Sequence, residues 1–323
     1  MTDIHDLIQA MLEARTGPDV HLVEVRQQDG TQGFSGASVR YFDVQYRHGS
    51  VPAQTTLVVK DAPLVERRAL AWLGDHGGAA PLSLTLDLAT DAPVPVCMQY
   101  VGETQPPAER VPQVARALAA IHAAGMDHAQ DLSWLPRADA GFAAEWIVHA
   151  CWRDPWQHVL AGDEYVDAFG NHWGPPKPGG DFAAQLGAYT QPLEEAATRF
   201  VDAVARLWDE GDSLTLIHAD FHGDHARLFE DREYIIDWGF AHYGPFYIDL
   251  PNYFTRDDAF LYRDALAELG HEIPADVFLT NLDAVRPYPG FKYFGIGLWN
   301  WCYGDPPHRR EYVTHFIDMI MKQ

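Results

Sequence analysis

Residues 216–254 constrain the chain more than any other stretch. They read LIHADFHGDHARLFEDREYIIDWGFAHYGPFYIDLPNYF. Two short apolar runs, LTLIH and YII, each give way to polar residues that include His218, Asp220, His225 and Asp237. Short apolar runs bounded by turn residues read as buried strands. A hairpin between them brings the two strand ends side by side, and with them these four side chains. A carboxylate that closes an apolar strand costs free energy unless it is paired or holds a cation. Carboxylates and imidazoles converging in this way can hold a divalent ion and orient a hydroxyl, which is the layout that phosphoryl transfer uses. Taken singly, each residue has a plainer reading. Asp220 and Asp237 would cap turns, and His225 would be a satisfied core or surface histidine.

Composition narrows the partners. The 323 residues hold 46 acids against 23 bases, a formal net charge of −23. Nucleic acid is excluded as a partner, because phosphate backbones need a basic footprint. A surface of this sign attracts a cationic small molecule, or simply keeps the protein soluble. Cys97, Cys151 and Cys302 have no paired spacing and sit among apolar neighbours, so they read as buried free thiols. The N-terminus, MTDIHDLIQAMLEA, lacks a basic start and a long apolar core. It reads as an amphipathic helix with Ile4, Leu7, Ile8, Met11 and Leu12 on one face. No apolar run approaches the ~20 residues of a membrane span. The sequence therefore predicts a cytoplasmic protein with no membrane partner.

The remaining pattern gives an order of elements. Strands are predicted over 21–27, 39–46 and 55–60, a helix over 63–73, and strands over 82–88 and 94–100. Beyond this point the chain is mostly helical, with helices over 109–124, 191–208, 258–269, 275–285, 291–301 and 309–321. Residues 131–181 look like an insert, with half of the ten tryptophans and eight acids against three bases. Carboxylates and aromatic faces bind ammonium groups, although Trp146, Trp152 and Trp156 fit a buried helical face better.

The motif His218-x-Asp220-x-x-x-x-His225, followed by Ile236-Asp237, resembles the catalytic loop and metal-binding segment of the aminoglycoside phosphotransferase and choline kinase superfamily. The family pattern is H-x-D-x-x-x-x-N and then I-D, so His225 stands where Asn is usual. The resemblance implies an α+β, bilobal protein-kinase-like fold. Its small N-terminal lobe, with an antiparallel sheet and one helix, would bind nucleotide over 1–102. Its larger, mostly helical C-terminal lobe over 103–323 would carry catalysis and substrate, with 131–181 as the substrate region. Asp220 would align the acceptor hydroxyl and accept its proton, and His225 and Asp237 would hold Mg2+. Lys60, paired with Glu66, would contact the nucleotide phosphates. The run 33–39, GFSGASV, resembles a family hairpin in which a serine, here Ser35, donates to the phosphates. Residues 97–101 would form the hinge that meets the base, through Gln99 and Val101. His218 and Asp249 would brace the loop.

The activity so implied is transfer of the γ-phosphate of ATP or GTP to a hydroxyl of a cationic small molecule. A choline, amino-alcohol or sugar kinase is the alternative within the class. A degenerate kinase-like binding protein without turnover is the alternative outside it, and His225 is the residue that favours it.

Overall fold

Helix α1 (Ile4–Thr16) begins where the Asp3 carboxylate accepts the His5 amide at 2.9 Å, and ends at Gly17, whose φ of 102° suits only glycine. Its apolar face, Leu7, Ile8, Met11 and Leu12, is fully buried. That face packs on alternate residues of a sheet: Phe42, Val44, Tyr46, Leu57, Val59 and Cys97. The computed structural model describes residues 3–28, 39–166, 170, 172–173, 182–304 and 308–321. The sheet is five-stranded and antiparallel, in the order β1 (Val20–Gln27), β2 (Val39–His48), β3 (Val51–Ala62), β5 (Val94–Gln99), β4 (Ser83–Leu84). Helix α2 (Leu64–Asp75) follows β3 with only Pro63 between them, and α3 (Val111–Asp127) comes after the sheet. The α+β class follows from this sheet and the helices.

The strand expected over 82–88 is reduced to Ser83–Leu84. The reason lies in Arg67, which is fully buried on α2. Its guanidinium donates to the carbonyls of Asp87, Thr90 and Ala92, taking acceptors that a ladder would need. The Asp87 carboxylate also accepts the amides of Ala89 and Thr90, each at 2.8 Å, which turns the chain there.

The chain divides into two compact units. The first comprises Met1–Asp127, His218–Ala241 and Phe260–His271, and the second His128–Ile217, His242–Ala259 and Glu272–Gln323. The first therefore contains the sheet, α3 and the whole segment from His218 to Asp237. The second is helical, built on the 21-residue helix Thr190–Glu210, with two short antiparallel pairs, Leu214–Ile217 against His242–Pro245 and Tyr165–Val166 against His172–Trp173. Its segment Phe142–Arg153 is wound as a π-helix, a conformation rare at this length. Trp152 and Trp156 are buried there against Phe291, Phe182 and Phe294, while Trp146 is half-buried. Asp249 is also buried in the second unit. The helix expected over 291–301 is two helices, Tyr288–Lys292 and Phe294–Tyr303, broken at Tyr293. All three cysteines are buried and free. Among the described residues no helix is long and apolar enough to cross a membrane.

Candidate active site

Four short pieces of the first unit build the site, and the hairpin is its frame. Ala226–Phe229 pairs with Arg232–Ile235 through a two-residue turn, with Phe229 opposite Arg232. Glu230 and Asp231 both have positive φ, 48° and 61°, the geometry of a type I′ turn. Arg110 holds this turn by donating to the Asp231 carbonyl at 2.8 Å and to the Glu233 carboxylate at 2.7 Å. The Leu228 amide donates to Thr104 and the Ile235 amide to Ala79. The hairpin thus returns the chain from the first motif to the second.

His218 joins the two motifs directly. Its Nδ1 accepts the Asp220 amide at 3.2 Å, so its Nε2 carries the proton, which it donates to the Ile236 carbonyl at 2.8 Å. One imidazole ties the residue before Asp237 to the backbone of Asp220. Between His218 and Asp220, Ala219 takes a φ of 56°, and Asp237 takes 65°. Left-handed backbone at non-glycine residues is costly and concentrates at functional sites.

His225 is buried and lies between two other imidazoles. Its ring centroid is 5.1 Å from that of His218 and 3.9 Å from that of His222. Its Nδ1 donates to the Asp220 carbonyl at 2.7 Å. That bond commits Nδ1 and leaves Nε2 as the nitrogen that faces Asp237, 3.6 Å from its Oδ2. A histidine whose far nitrogen is held by a carbonyl in this way is oriented for metal ligation. An imidazole nitrogen and a carboxylate oxygen so placed fit a divalent ion. A carboxylate oxygen of Asp220 and a ring nitrogen of each of His222 and His225 also lie within 4.8 Å of one another.

Lys60 supplies the third piece. Pro63 alone separates the strand from the helix, so Lys60 on β3 folds back onto the first turn of α2 despite the six-residue separation. Its ammonium lies 2.9 Å from Glu66 Oε1 and 2.6 Å from Asp237 Oδ1. Glu66 is 1% exposed and Asp237 48%, so the cation joins a buried acid to an open one. Burial alone would depress the Lys60 ammonium, but the charges of Glu66 and Asp237 outweigh it and hold it above the ordinary lysine value. Burial pushes the Glu66 carboxyl up by more than Lys60 pulls it down. Burial would raise Asp237 too, yet the charge and hydrogen bond of Lys60 bring it below the ordinary aspartate value. The second Glu66 oxygen is buried without a hydrogen bond, facing Gly239.

Among the residues singled out in the sequence, Lys60, Glu66, His225 and Asp237 are therefore brought into one connected cluster. Asp220 joins it through its backbone, at the Nδ1 atoms of both His218 and His225. Ser35 lies outside the described residues. The strand that follows its loop starts opposite Lys60, in the pairing Val39–Lys60. The Gln99 amide is already used, donating to Leu82 at 2.8 Å. Among the described residues no backbone hydrogen bond takes up the amide of Val101. Gln105, which the motif does not reach, donates to the Asp224 carboxylate and ties the loop to the segment between β5 and α3. Its partner is more than a hundred residues away, so no local pattern announces it.

The model of the phosphotransferase enzyme family matches residues 32–288. No curated protein sequence matches the chain significantly. Among solved structures, the choline kinase of Cryptosporidium parvum Iowa II is 12% identical, with a TM-score of 0.59 over 98% of this chain and 96% of that one. A spectinomycin phosphotransferase, solved with ADP and spectinomycin, is 14% identical at a TM-score of 0.50, covering 98% and 97%. The Plasmodium vivax ethanolamine kinase is 9% identical at 0.52, covering 94% and 82%. At these identities the likeness is one of fold, and the kinase-like architecture is shared. The family match spans most of the chain, and the protein belongs to the phosphotransferase enzyme family as a small-molecule kinase with an alcohol group as acceptor.

Proposed function

We propose that the protein transfers the γ-phosphate of ATP or GTP to a hydroxyl of a cationic small molecule, in the manner of an aminoglycoside phosphotransferase. The observation that carries this reading is the connected cluster of Lys60, Glu66, Asp237 and His225, joined through backbone to Asp220. Lys60 is held charged between two carboxylates, ready to bind phosphate oxygens as a point charge. Asp237 divides its oxygens, giving Oδ1 to Lys60 and presenting Oδ2 beside His225 Nε2. Together these two atoms would hold a divalent ion, which when bound neutralises charge on the phosphates. Asp220 orients the acceptor hydroxyl and takes its proton. Transfer through a loose transition state depends more on such positioning than on base strength. The excess of acids favours a cationic acceptor and disfavours an anionic one.

A second reading has one observation behind it. His225 stands beside Asp237 where the motif usually has Asn, a departure that fits a degenerate kinase-like binder. A panel separates the two: aminoglycosides, choline and other amino alcohols, and neutral sugars, each with ATP and with GTP. Product is read as a new phosphate monoester by phosphorus NMR. The proposal predicts a monoester with a cationic alcohol. Nucleotide binding without any monoester across the panel overturns it in favour of the binder.

A further inference from the structure

We propose that His225 tunes the divalent-ion position to a first-row transition ion in preference to magnesium. This inference rests on the reading that His225 and Asp237 hold the ion. Magnesium favours oxygen donors in a near-regular octahedron, whereas imidazole nitrogen favours the transition ions. The usual Asn at this place in the motif offers an amide oxygen. His225 offers nitrogen, and three features commit it. Its Nδ1–H is bound to the Asp220 carbonyl at 2.7 Å, which commits that nitrogen and leaves Nε2 as the one that can meet an ion. That Nε2 faces Asp237 Oδ2 at 3.6 Å, within reach of a shared ion. The ring is also clamped between His218 and His222, so it cannot turn away without disturbing both.

Packing and the carbonyl bond are thus already in place before any ion arrives. Orientation by outer partners of this sort strengthens a histidine ligand. The carboxylate beside it remains a ligand that either kind of ion accepts. Selectivity therefore rests on the nitrogen.

The test uses the full chain and two probes, Mn2+ and Mg2+, without nucleotide or acceptor. Calorimetry gives the ratio of their dissociation constants. Electron spin-echo modulation of bound Mn2+ reports whether an imidazole nitrogen is directly coordinated. The proposal predicts nitrogen modulation in the parent, its loss in His225→Asn, and a fall in preference for Mn2+ over Mg2+ by about tenfold or more. Asp237→Asn should remove the same tight Mn2+ site, which separates it from the other histidines. The proposal is overturned if modulation and preference are the same in parent and His225→Asn. If His225→Asn fails to fold, broadening of the parent's His225 ring resonances by substoichiometric Mn2+ decides, and unbroadened resonances overturn the proposal. Because no turnover is measured, the outcome is separate from that of the kinase reading. A chain that binds Mn2+ through His225 and phosphorylates nothing would refute the kinase reading alone.

Discussion

At the scale of the residue, the site turns on one ammonium serving two carboxylates. Lys60 is stabilised in its charged form by Glu66 and Asp237, and Asp237 is kept ionised by Lys60 in return. The raised Lys60 contributes stability that is present below its unfolded pKa and lost as pH rises through its folded one. The depressed Asp237 contributes stability present above its unfolded pKa and lost as pH falls through its folded one. Glu66 has the opposite sign to Asp237. Its folded pKa is raised, so the native state holds the proton longer and stability declines as pH rises above the ordinary glutamate value of about 4.3. Glu66→Gln removes that decline while keeping the shape. Thermal melts should show the variant gaining on the parent between pH 4 and pH 7.5, with weaker nucleotide binding because Lys60 loses an anchor. A stability difference that does not change with pH would contradict this account. The Lys60–Glu66 pair was legible in the sequence as a strand-end lysine and an early helix glutamate. That Asp237 would share the same ammonium was not, since the contact spans 177 residues.

At the scale of the element, the hairpin decides whether the two motifs meet. Its turn forces Glu230 and Asp231 into left-handed backbone, which asparagine and glycine adopt more readily. Asp231 is engaged by Arg110, so Glu230 is the position free to improve. Glu230→Asn should raise stability by on the order of 1 kcal/mol, read as a higher melting temperature with unchanged activity. An equal or lower melting temperature would mean that the turn carries no such cost. The hairpin itself was legible, because YII and the run before it frame a short polar break. The shortened β4 was not. Residues 82–88 alternate as a strand should, but Arg67 on the preceding helix takes the Asp87 carbonyl, which a longer ladder would need. The Asp87 turn adds to this, with its carboxyl held down to about 2 by the Thr90 hydroxyl and the amides of Thr90 and Ala89. The break at Tyr293 was equally hidden inside a continuous apolar pattern. Periodicity records which face is buried, not where another element interrupts the backbone.

At the scale of the whole molecule, two compact units share the work unevenly. The first holds every described residue of the proposed phosphate and metal machinery, Lys60 on the sheet, Glu66 on α2 and the rest on the segment 218–237. The second holds the acid-rich region 131–181 and a core of stacked aromatic rings. The net charge of −23 belongs to both, and in the proposed reaction it favours a cationic acceptor. Family and fold were therefore readable from the catalytic segment and the element order, while the identity of the acceptor is carried by side chains that no motif gathers. In the proposed reaction Asp220 is the residue that acts on the acceptor. The most direct measurement compares Asp220→Asn with the parent, using the best cationic acceptor, as turnover number and as nucleotide dissociation constant. The account predicts a turnover lower by about 100- to 10,000-fold with nucleotide affinity close to the parent's. Turnover that survives the substitution unchanged would contradict it.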